Sequence, residues 1–149
     1  MTYTKQTLQQ DLAAMGLTGT ETILIHSSMK SIGAVEGGAD TVLDALMEFF
    51  AEGLLLLPTH TWQFIDQDHP VFDVRRSPCC VGILPELFRQ RPGVVRSLHP
   101  THSIAACGRG AAEYLAGDPR PQHLYPQRGG GAERPQPACR QALAAHCGG

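Results

Sequence analysis

The chain has 149 residues, a formal net charge of −2, and 42% hydrophobic against 17% charged side chains. That length suits one domain and the apolar content suits a folded core. The near-neutral balance excludes a general nucleic-acid binder, which needs a basic face to meet phosphates.

The opening segment reads as a helix, with Thr4 as its cap, Leu8, Leu12 and Met15 on one side and Gly16 just past its end. Thr22–Ile25 is a short aliphatic run, hence a buried strand. The polar stretch His26–Gly33 leaves that strand as a loop. A second helix is predicted from about Asp40 to Phe50, with Val42, Leu43, Leu46 and Met47 on its apolar stripe. Gly53 stops it, and Leu54–Leu57 read as a second buried strand. Strand, helix and strand make a βαβ unit, which predicts an α/β fold with parallel strands.

A long polar stretch follows Trp62 and carries Asp66, Asp68 and Asp73. Such a loop in a small domain is a candidate for function. A third helix is predicted from about Val81 to Gln90, and Pro92-Gly93 breaks it. His99–Ser103 lead into a third strand at Ile104–Cys107, and a short helix at Ala111–Leu115 closes the patterned region.

Composition changes near Pro119. Residues 1–118 hold eight Lys/Arg against 13 acids, a balance of −5, whereas residues 119–149 hold four arginines against Glu133. These last residues contain five Pro and five Gly but no Val, Ile, Phe, Met or Trp, so they are read as a low-order tail beside a patterned unit at 1–118. No apolar run approaches the roughly 18 residues of a membrane span. The polar N-terminus lacks a signal-peptide core, so a cytoplasmic location and reduced cysteines are expected.

Two loops carry the chemistry. His26–Gly33 follows a strand and precedes a helix, where α/β folds place ligands. Ser27, Ser28 and Ser31 supply hydroxyls there, and Gly33 permits close backbone approach, which suits a phosphate-bearing cofactor. The competing reading is an ordinary polar loop, since no Walker A or G-x-G-x-x-G pattern is present. His99 and His102 raise a metal site with His60, His69, Cys79 or Cys80, but no ligand-pair spacing supports it. Gln127–Ala132 fits the loose Q-x-x-G-x-A pattern of the common acetyl-CoA-binding superfamily, without the preceding strand that the pattern requires. The acids of the long loop are either a solvated face or a docking surface for a cation.

Taken together, ILIHSSMKSIG (23–33), GGADTVLDALM (37–47), LLLLPTHTW (54–62), FDVRRSP (72–78) and the run from Val81 to Gly108 resemble the aminoglycoside 3-N-acetyltransferase family in order and spacing. The resemblance covers about residues 5–118. It implies a partial fold of that family and acetyl transfer from acetyl-CoA to the 3-amino group of a 2-deoxystreptamine antibiotic. It also implies that His26, Ser27, Ser28, Ser31 and Gly33, with Thr101, His102 and Ser103, lie along CoA. His60, Asp66 and Asp73 are the candidates for the antibiotic side, whose polycation matches the acidic surplus. No catalytic residue is assigned, because the family's amine-activating segment lies in a second half that 119–149 does not match. The reading is therefore an N-terminal part with an out-of-frame tail, and self-association through an uncovered apolar face is expected. The alternative is a non-catalytic remnant that at most binds CoA.

Overall fold

The structure is a computed structural model that describes residues 1–116. The proposed tail at 119–149, with its Gln127–Ala132 pattern, lies outside the described residues.

Helix α1 (Lys5–Ala14) starts at a reciprocal cap. Thr4 Oγ1 accepts from the Thr7 amide at 3.2 Å, and Thr7 Oγ1 accepts from the Thr4 amide at 2.8 Å. Two otherwise orphaned donors are thereby satisfied. The helix ends at Ala14 and Gly16 takes the left-handed conformation, φ +85°. Met15 falls on the cap and stays exposed, so the inward stripe is Leu8 and Leu12.

Strand β1 (Thr22–Leu24) is followed by a short helix within the polar loop, α2 (Met29–Ile32). Helix α3 (Gly38–Phe49) then buries Val42, Leu43, Ala45 and Leu46. Strand β2 (Leu54–Pro58) is buried along its whole length and runs parallel to β1, as the βαβ pattern requires. Alternate side chains of β2 serve two cores. Leu55 and Leu57 join Ile23, Leu43, Phe50 and Phe88 on the face covered by α1 and α3, whereas Leu54 and Leu56 join Ile104, Ala106 and Ala111 on the other face.

Helix α4 (Ile83–Phe88) is shorter than the apolar pattern suggests, since Gly82 sets its start at φ +120° and Arg89 caps its end. Strand β3 (Val95–Arg96) has two residues, too few to show a period. It pairs antiparallel with β4 (Ile104–Gly108), and β4 pairs antiparallel with β2. The sheet order is β1-β2-β4-β3, with α5 (Ala111–Ala116) covering β4. Because β4 reverses direction, its first residues lie beside the last residues of β2. That reversal builds the site.

Candidate functional site

The antiparallel ladder of β2 and β4 runs past the ends of both strands. The Thr59 amide donates to Ser103 O and the Thr61 amide to Thr101 O, each at 2.9 Å. Continuing that register sets His60 opposite His102, and their ring centroids lie 4.9 Å apart. The two-residue alternation turns Thr59, Thr61 and Ser103 inward, where all three are fully buried. His60 and His102 face the opposite way. His99 lies 5.5 Å from His102, edge to face, and its Nδ1 accepts from the amides of Thr101 and His102.

His26, at the carboxyl end of β1, is close enough to disfavour a charge on His60. Burial, then His102, His26 and His99, lower the His60 pKa to about 4, so the ring is neutral at pH 7. His60, His26 and His102, together with Thr101, are thus gathered at one end of the sheet. Thr101 Oγ1 lies 2.8 Å from His102 Nδ1. Among the described residues no three His, Cys, Asp or Glu side chains are arranged to hold a metal ion.

The loop after β1 offers donors. Ser28 caps α2, its Oγ accepting from the Ser31 amide at 3.2 Å and lying 2.9 Å from Ser31 Oγ. The amides of Ser27, Ser28, Met29 and Lys30 donate to no acceptor among the described residues. Gly33 closes the loop at φ +101°, a conformation that favours glycine, and the space where its side chain would lie is open. Ser27 and Ser31 also stand beside an apolar groove lined by Leu8, Leu12, Ile25, Val42 and Leu46.

Ser103 has a different part from the one its neighbours suggest. Its hydroxyl is buried and donates to Thr59 O at 2.8 Å, so any ligand would meet its backbone rather than its side chain. Asp66 and Asp73 of the long loop are local turn-formers. Asp66 Oδ1 accepts from the amides of Asp68 and His69, and Asp73 Oδ1 accepts from the amides of Arg75 and Arg76. These amides hold both carboxyls below the usual range. In each case the second carboxylate oxygen is free of hydrogen bonds among the described residues.

Sequence reasoning missed Arg96, Thr59 and Thr61. Arg96 Nε donates to Ser103 Oγ at 3.0 Å and to Thr59 Oγ1 at 3.2 Å, linking the buried hydroxyls to the long loop. No local pattern marks it, because its partners come from three separate segments. The buried side chains leave no polar atom unpartnered among the described residues.

Two loops, one rich in donors and one in imidazoles, meet the strand ends of a mixed sheet, which is where α/β scaffolds place their ligands. Residues 24–127 match the family model described as aminoglycoside 3-N-acetyltransferase, and the chain belongs to that family. The SPbeta prophage-derived aminoglycoside N(3')-acetyltransferase-like protein YokD of Bacillus subtilis (strain 168) is 35% identical over 127 residues, covering 71% of this chain and 47% of that protein. The crystal structure of aminoglycoside acetyltransferase AAC(3)-Xa superposes with a TM-score of 0.72 at 36% identity, over 80% of this chain and 48% of that one. The binary structure of AAC-IIIb with CoASH gives a TM-score of 0.68 at 29% identity, over 78% and 50%. The chain spans about half the length of the curated relatives it matches.

Proposed function

We propose that this chain supplies the CoA-facing half of an acetyltransferase that moves acetyl from acetyl-CoA to the 3-amino group of a 2-deoxystreptamine aminoglycoside, and so confers antibiotic resistance. The observation that carries this reading is the row of amides from Ser27 to Lys30 without acceptors among the described residues, flanked by the hydroxyls of Ser27, Ser28 and Ser31. Such a row suits the carbonyls and diphosphate of CoA. The family and the CoASH-bound neighbour support the choice of ligand.

In this reading His26, Ser27, Ser28, Ser31 and Gly33 line one side of the cofactor, and Thr101, His102 and the Ser103 backbone line the other. His60, Asp66 and Asp73 face the polycation. The amine must arrive unprotonated, because an ammonium has no lone pair for attack. Developing charge on the thioester oxygen is met by loop donors. We assign residues 1–118 to this unit and a cytoplasmic location to the protein, where acetyl-CoA is available. No helix among the described residues is long and apolar enough to cross a membrane.

The test is thiol release from acetyl-CoA with gentamicin, run beside calorimetry with CoA. Turnover by the 149-residue chain supports the full reaction. CoA binding without turnover limits this chain to the cofactor half, and absence of both refutes the proposal.

A further inference from the structure

Arg96 is half-buried, and burial, with Arg89 nearby, lowers its pKa. Among the described residues it has no carboxylate partner. Its three nitrogens instead make five hydrogen bonds, all to neutral oxygens. Besides the hydroxyls of Thr59 and Ser103, it donates to Thr59 O at 2.9 Å, Ser77 O at 2.5 Å and Val74 O at 3.4 Å. Its guanidinium also lies 5.1 Å from the centre of the Phe72 ring.

These contacts have a clear division. One side of the guanidinium grips the rigid junction of β2 and β4, and the other grips residues 72–77, the turn that Asp73 caps. A planar fork can hold both at once, whereas an ammonium cannot. The turn exposes Asp73, Arg75 and Arg76 together. Its net charge therefore does not favour a polycation, and selectivity depends on where the Asp73 carboxylate sits.

We propose that Arg96 is a positioning residue that fixes the 72–77 turn against the Thr59–Ser103 junction, at the end of the sheet that carries the histidines, and so sets affinity for the cationic substrate while leaving the CoA loop untouched. The inference rests on the proposed aminoglycoside side of the site. Arg96 makes no hydrogen bond to the 26–33 loop and meets Ser103 at its buried hydroxyl, not at the backbone assigned to the cofactor, so its effect is separable from cofactor binding.

The test uses the full chain and the variants Arg96→Lys and Arg96→Met, with gentamicin and CoA affinities from calorimetry and amide exchange across residues 72–77. Expected results are at least tenfold weaker gentamicin binding in Arg96→Met, partial recovery in Arg96→Lys, CoA affinity within twofold of wild type, and faster exchange confined to the turn. Equal losses for both ligands would make Arg96 a general structural residue and overturn the proposal, as would unchanged gentamicin affinity. A wild-type chain that binds no gentamicin refutes the aminoglycoside reading. The anchoring then stands if exchange in Arg96→Met quickens only at 72–77 and falls if it does not.

Discussion

Acidification should loosen this fold before any carboxylate titrates, through His60. Its ordinary pKa of 6.5 falls to about 4 on folding, chiefly by burial. The unfolded chain therefore binds a proton that the native state resists. The stability tied to neutral His60 is present in full above pH 6.5 and is lost as pH falls through 4. At pH 5 the linkage relation gives about 2 kcal/mol for these two values. His60 is only half-buried, so water screens the effect, and about 1 kcal/mol is the working figure. With a urea slope of roughly 1–2 kcal/mol per molar, the midpoint should drop by about 0.5–1 M between pH 7.5 and pH 5. The assay is urea unfolding of wild type and His60→Gln at both pH values. Glu21 is held at about 2 by the Thr18 amide, and Asp66 and Asp73 are also lowered. Their losses fall at lower pH and leave the window clear. A His60→Gln midpoint that drops as far as wild type would refute the reasoning.

Other substitutions probe the frame and the loop. Gly108→Ala places a Cβ 2.3 Å from Gly53 O at φ +113°, and should cost more than about 2 kcal/mol in urea unfolding, since neither backbone can yield cheaply. Ser28→Ala removes the α2 cap and one loop hydroxyl, so it should lower stability by about 1 kcal/mol and weaken CoA binding severalfold. Gly33→Val should also weaken CoA binding, through backbone strain at φ +101° and a side chain entering open space beside the loop. Calorimetry on both variants is the check.

Much of this architecture is legible because it is local. The Thr4 cap, the α3 stripe and the unbroken leucines of β2 each announce their element within a few residues. Strand direction is not local. Nothing in Ile104–Gly108 marks it as antiparallel to β2, yet that reversal alone brings His102 to His60. The two-residue β3 is hidden for a related reason, being defined by its partner rather than by a pattern. In the site, the 26–33 loop stands out through its serines and its place after a strand. Arg96 does not, because its worth lies in joining Thr59, Ser103 and Ser77 across the fold. Asp66 and Asp73 look like free charges in the sequence, whereas each holds its own turn together.

Titration of the folded chain with CoA, followed by the amide resonances of Ser27 to Lys30, tests the central claim most directly. Saturable shifts confined to those amides and to Thr101–Ser103 are the predicted result. A folded chain whose loop amides do not respond to CoA would contradict it.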